Sequence, residues 1–355
     1  MSTGPRVRRA IAIVRTAALA LASVTLASVT LVETAHASPT VWGRARDPRL
    51  ATQEELVRDA QRAVMRYRGM RVRNGMQTEA LAALLLRDAR KHLADLVASG
   101  SADFGVRLLY AEVLRDARAN DEALQVLTKL LADQPPEPIR ADALGDLAIL
   151  YALAGRREEE IRAYTESLKI EPHAHLRSRL LANRAEALMA TGDVTAAVEG
   201  YREALEPLTS LELYWYAPTT LFGLGVALDR SGYLPAGLDS IKLARAYDPQ
   251  DKGLQSGSWF FSPEHDSHWY WALGAWSRAR SSTEWPVRAD QYERAIFEWE
   301  AYLAEAPEQD RWIPLARVRL DEVKRERDRM RRAYDLEARK GAAPRFSPDK
   351  LMKPR

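Results

Sequence analysis

The chain has 355 residues, 46% of them hydrophobic, no cysteine, and 52 Lys/Arg against 49 Asp/Glu. The absence of cysteine excludes disulfide stapling, thiol catalysis and Cys-based metal sites, so any core is held by packing alone. Residues 1–37 hold four Lys/Arg and one Asp/Glu, which leaves 48 of each beyond them and removes net charge as an argument for nucleic-acid binding.

Arg6, Arg8, Arg9 and Arg15 precede or open an apolar run over 16–32, and Ala35-His36-Ala37 follows with a small-x-small pattern. Together they read as a secretory signal peptide over 1–37, cut after Ala37, and predict an exported protein, periplasmic or secreted. An uncleaved membrane anchor is the other reading, because the run is near the lower length limit for spanning. Residues 38–50 contain Pro39, Gly43 and Pro48 and read as an extended leader. A helix pair is expected over 51–100. Thr52 with Glu55 forms a capping box opening a first helix to about Tyr67. Asn74-Gly75 marks a turn, and a second helix runs from Thr78 to about Ala98, with Leu81, Leu84, Leu85, Leu93, Leu96 and Val97 as its apolar positions.

Four similar units occupy 101–255, starting near Phe104, Ala141, Ser178 and Pro218, at spacings of 37, 37 and 40 residues. Each reads as two helices around a turn. The third is the cleanest, with Leu181, Ala185, Leu188, Gly192, Ala197, Tyr201 and Ala204; the second has Leu147-Ala148, Tyr151, Gly155, Tyr164 and Pro172, and the fourth Leu224-Gly225, Gly232, Gly237, Ala244 and Pro249. Small residues let two helices approach, an aromatic fills the groove, and Pro ends the second helix. Such a pair cannot bury its apolar faces alone and needs stacked copies.

This pattern resembles the tetratricopeptide repeat family, whose unit is 34 residues long. The departures are Glu160 where a small residue is expected, Pro207 two positions early, and units three to six residues longer than the family's. The resemblance implies an all-α fold, a right-handed αα-superhelix or helical-repeat solenoid. It also implies a non-enzymatic scaffold that takes a protein or peptide on a concave face lined by the first helices. The family's ligand-facing positions fall on Glu112 and Arg115; Asp142 and Ile149; Arg179, Glu186 and Met189; and Phe222 and Asp229. The Lys and Asn residues with which the family clamps a terminal carboxylate are missing, so that specificity is not expected.

An altered fifth unit is predicted over 256–309. Trp271, Leu273-Gly274 and Trp276 match a first helix, and Tyr292, Ala295, Trp299, Tyr302 and Pro307 a second, with about nine extra residues between them. Seven of the nine tryptophans lie from Trp259 to Trp312. Trp259, Phe260, Trp269, Trp271 and Trp276 are therefore a candidate aromatic patch for a carbohydrate or cell-wall ligand; the alternative is that they fill space around an insertion. His265 and His268, flanked by Glu264 and Asp266, offer an imaginable zinc site. Ser262, Pro263 and these acids equally describe an ordinary helix start. No catalytic motif, cofactor or metal site is predicted. Residues 310–340 read as a capping helix with Ala316, Leu320, Val323, Met330 and Tyr334 on one stripe, and 341–355 as a disordered tail. From 311 onward there are 15 Lys/Arg and 7 Asp/Glu, a basic end that offers contact with an anionic envelope surface.

Overall fold

The computed structural model describes residues 48–71, 76–98, 103–171, 173–208, 216–255 and 261–340. The signal-peptide reading, Pro172, Trp259, Phe260 and the 341–355 tail lie outside the described residues, as does all of the leader before Pro48. Among the described residues there are fourteen helices and no strand, and none of the helices is long and apolar enough to cross a membrane.

The chain divides into two compact bodies after Ala117, inside the first repeat. The first contains α1 (Pro48–Arg71), α2 (Met76–Ala98) and α3 (Phe104–Asp116). The opening helix starts at Pro48, four residues before the expected Thr52 cap, and the Thr52 side chain lies outside the described residues. Proline has no N–H to satisfy and a φ preset for the first helical turn, which makes it a natural first residue. Ala60 and Val64 of α1 meet Leu93 and Leu96 of α2 and Val106 and Val113 of α3. Leu81 and Leu84, expected to be buried, are about half exposed (43% and 47%), so only the later half of α2 enters this core. The cap of α3 is explicit: the Asp103 carboxylate accepts from Gly105 N at 2.7 Å and Val106 N at 3.2 Å.

The second body begins with α4 (Asn120–Ala132), which packs on α5 (Glu137–Leu153). Helix pairs follow: α5 with α6 (Arg157–Ile170), α7 (Ala174–Thr191) with α8 (Val194–Leu205), and α9 (Ala217–Arg230) with α10 (Leu234–Tyr247). A short α11 (Lys252–Gln255) leads to a last pair, α12 (Asp266–Ser281) with α13 (Trp285–Glu305), and α14 (Ile313–Arg339) lies along α13. Each pair packs on the next, α6 on α7, α8 on α9 and α10 on α12. One apolar core runs from Ala148 to Met330.

The seams explain the repeat. Tyr164 and Tyr201, 37 positions apart, are both fully buried, as are the equivalent Ala148 and Ala185. Where α9 crosses α10 the backbones nearly touch, and a Cβ on Gly237 would lie 2.6 Å from the Gly225 carbonyl oxygen. Serines tie neighbouring helices: Ser167 Oγ donates to Ala141 O at 2.8 Å, and Ser178 Oγ to Ala204 O at 2.6 Å. Between α7 and α8, Gly192 takes the left-handed conformation (φ +93°) that closes α7, and Asp193 caps α8 by accepting from Ala196 N at 3.1 Å.

In the fifth unit the extra length is helical. Helix α12 continues to Ser281 and α13 starts at Trp285 with Pro286 in its first turn, so three residues connect them. The start of α12 is Asp266, three residues beyond Pro263, which frees Ser262 and Pro263 for another use.

Candidate functional site

The first helices of the second body, α5, α7 and α9, present the positions nominated above, and the chain treats the two halves of that face differently. Asp142 and Arg179 are exposed, and Ile149 is partly buried. Met189, Phe222 and Asp229 are buried at 1% exposure or less, and they have no surface to offer a ligand. Glu186 is partly buried, with Oε1 shut off from solvent and without a hydrogen-bond partner. In the first body, Glu112 and Arg115 of α3 are half-buried.

What covers the second half is the chain itself. Ser262 Oγ donates to Ala152 O at the end of α5 and accepts from Arg157 Nη2, each at 2.9 Å. Arg157 Nη1 in turn holds Glu160 Oε2 at 2.7 Å. This accounts for the acid at a seam position that the other repeats give to a small residue: Glu160 anchors the arginine that grips the crossing segment. Phe261 packs edge-on against Tyr270, centroids 5.0 Å apart. Next, Asp266 takes a forked pair of hydrogen bonds from Arg230 at 2.7 and 3.1 Å. The Arg230 guanidinium lies between the rings of Trp269 (4.5 Å) and Trp312 (4.9 Å), where an aromatic face attracts a cation strongly once water is excluded.

Asp229 completes the network, accepting from Trp269 Nε1 at 2.9 Å and from Arg319 Nε at 2.7 Å. Trp269 also makes edge-to-face contacts with Trp299 and Tyr302, centroids 4.7 and 5.1 Å apart, each contributing about 0.5–1.5 kcal/mol beyond area burial. Trp269 and Trp276 are therefore core residues with zero exposure, which removes them from any surface patch for a glycan; Trp271 is partly buried against the same core. The histidines point to separate partners. His265 Nε2 is 3.0 Å from Asp310 Oδ2, whereas His268 reaches Glu298 at 2.8 Å and Glu305 at 3.2 Å. Among the described residues no three side chains are grouped to hold a metal ion. His173 stacks its contact on Glu171, with Nδ1 2.8 Å from Oε1. A cavity of about 180 Å³ remains beside this covered half, between Ala190, Pro263, Asp266, Asp310 and Trp312.

The electrostatics of the two halves differ too. Burial pushes the Glu186 carboxyl up to about 8, with Asp266 and Glu160 adding to the rise and Arg157 and Arg230 opposing it, so it is mostly protonated at neutral pH. Burial lowers the pKa of Arg230, but the attraction of Asp266 more than offsets this. On the open half, Asp142 is in contact with water at its edge yet pushed up to about 6, first by partial burial and then by Asp146 and Glu171, with Arg179 and His173 pulling the other way.

The deciding observation for the fold is the succession of antiparallel helix pairs, each packed on the next, with small residues at their crossings and buried Tyr164 and Tyr201 at a 37-residue spacing. The fold is that of a tetratricopeptide repeat protein. No protein-family model matches the chain, and no curated protein matches it. Solved structures similar to it include a tetratricopeptide repeat protein from Parabacteroides merdae, at 14% identity, covering 77% of this chain and 99% of that one with a TM-score of 0.45. Two others are the C-terminal part of a repeat protein from Cytophaga hutchinsonii (12% identity, 74% and 92% covered, TM-score 0.44) and YrrB (14% identity, 61% and 93% covered, TM-score 0.38). Relative to the regular tetratricopeptide pattern, the residues that sequence reasoning missed are Arg157, Ser262 and Arg319. The only sequence signal for them was Glu160, a charge standing where the repeat asks for a small side chain.

Proposed function

We propose that this tetratricopeptide-type chain is a non-enzymatic scaffold that binds an extended segment of another protein on the open half of its first-helix face. The observation that carries this reading is the self-occupied half. Residues 261–266 of the chain already lie against that face, held by a backbone carbonyl at Ala152 and by guanidinium groups at Arg157 and Arg230. The segment is a chain of bends and turns leading into α12, and a face that holds one segment through a backbone carbonyl and guanidinium groups is chemically suited to hold another alongside it. Among the described residues, what remains open is Asp142 and Arg179, with Ile149 as an apolar neighbour, and the exposed Asp142 carboxyl offers an acceptor to a segment carrying a basic residue.

The setting we propose is the bacterial cell envelope, reached after removal of residues 1–37; the Arg-led apolar run and the Ala35-His36-Ala37 site support it. A glycan-binding reading has lost two of its tryptophans to the core and is not carried further.

Immunoprecipitation of the full chain from an envelope fraction, compared with the Asp142→Lys/Arg179→Glu variant, tests the reading. One defined protein is expected with the wild type and not with the variant, and the recovered chain should begin at Ser38. Recovery of the same proteins with both chains, or of an unprocessed chain from the cytosol alone, would contradict it.

A further inference from the structure

A shallow, open depression of about 380 Å³ lies where the end of α12, the first half of α13 and the middle of α14 meet. That volume is at the lower end of the range for small-molecule sites. Its chemistry is mixed. Its lining combines the aromatic and apolar side chains of Trp285, Tyr292 and Met330 with the guanidinium groups of Arg280, Arg288 and Arg329.

The single acid in the lining, Glu326, is already committed. Its Oε2 accepts from Trp276 Nε1 at 2.8 Å and from Tyr292 OH at 3.2 Å, and lies 3.9 Å from Arg280 Nε. Arg288 lies over the Trp285 ring, 5.0 Å from its centroid, and its Nε is buried with no hydrogen-bond acceptor. An N–H shut off from water and lacking an acceptor carries a desolvation cost, which an oxyanion reached by a shift of the Arg288 side chain would relieve. Three positive groups against one engaged carboxylate leave the depression with an unbalanced positive charge. The tetrahedral or planar oxygens of a phosphate or carboxylate fit the guanidinium fork, and the partly buried Trp285, with Arg288 over its ring and Tyr334 in edge contact at 5.2 Å, offers aromatic surface beside the cations for a flat apolar body. The chain's own 341–355 segment is a poor occupant, because it carries four Lys/Arg and one Asp.

We propose that this depression binds a small organic anion, a carboxylate or phosphate on an aromatic body, with Arg288 and Arg329 holding the oxyanion and Trp285 stacking on the ring. Isothermal titration calorimetry of the full chain tests it with phenyl phosphate and phenylacetate as probes, and with inorganic phosphate and benzyl alcohol as the separated halves. Saturable one-to-one binding is expected for at least one aryl anion, with each separated half weaker by roughly tenfold or more. Arg329, exposed at the rim, is the safe position to change: Arg329→Gln should weaken the aryl anion several-fold with unchanged thermal unfolding, and Arg288→Gln/Arg329→Gln by more than tenfold. Absence of saturable binding by either aryl anion, equal affinity for inorganic phosphate, or full affinity in the Arg329→Gln variant would overturn the proposal.

Discussion

At the residue scale, the sharpest electrostatic feature is Glu186, a carboxyl on α7 with an unpartnered buried oxygen and the acids Asp266 and Glu160 near it. Its folded pKa of about 8 is well above the ordinary 4.5. The folded state therefore holds a proton that the unfolded chain releases in the acidic range. The resulting stability is fully present below the unfolded value and is lost as pH rises through about 8. Urea unfolding should show a wild type less stable at pH 8.5 than at pH 6, by roughly 2 kcal/mol from this group. Glu186→Gln should flatten that slope; an unchanged slope in the variant would refute the assignment. Asp266 matters for a different reason, because it is the partner of a fully buried cation, Arg230. Removing its charge in Asp266→Asn strands Arg230 between two indoles, at a cost of about 3–5 kcal/mol in unfolding free energy.

At the element scale, the close crossing of α9 and α10 and the grip on residues 261–266 are the two features that single changes can break. Gly237→Ala would drive a methyl group into the Gly225 carbonyl, and should destabilise by about 1–3 kcal/mol, read as a lowered urea midpoint at constant slope. The second feature is local. Arg157→Ala removes the donor to Ser262 and leaves Glu160 buried alone, so hydrogen exchange should speed up at 261–266 while the α7–α8 pair keeps its protection. Equal loosening in both would mean that the segment has no separate attachment.

The helices themselves were largely legible from sequence, because period and turn chemistry are local. Gly192-Asp193 marks both a left-handed cap and the next N-cap, and Ala316, Val323, Met330 and Tyr334 share one buried stripe. The start of α1 at Pro48 and the continuous α12 were not legible in the same way, since a capping box and a Pro-containing linker are weak against a helix that gains tertiary packing. The site was least legible. Asp229 occupies a ligand-facing position in the repeat pattern, yet it is buried under Trp269 and Arg319, which arrive from far along the chain.

At the scale of the whole molecule, the second body is a stack of helix pairs whose last unit is also a stopper. The aromatic residues that stand out in the sequence build this stopper: Trp269, Trp299 and Tyr302 form its core, while Arg230, Arg319 and Asp229 fasten it to the stack. Among the described residues the first-helix surface left open includes Asp142 and Arg179, and the proposed partner would bind there. Partner affinity should therefore fall as pH drops through about 6, because a protonated Asp142 no longer attracts a basic side chain.

The most direct test of this division is photo-crosslinking in cells from a reactive residue at position 179, on the open half, compared with position 190, beside the segment that covers the other half. Protein adducts are predicted from 179 to a partner and from 190 only to the chain itself. A partner captured from 190 as readily as from 179 would contradict the account.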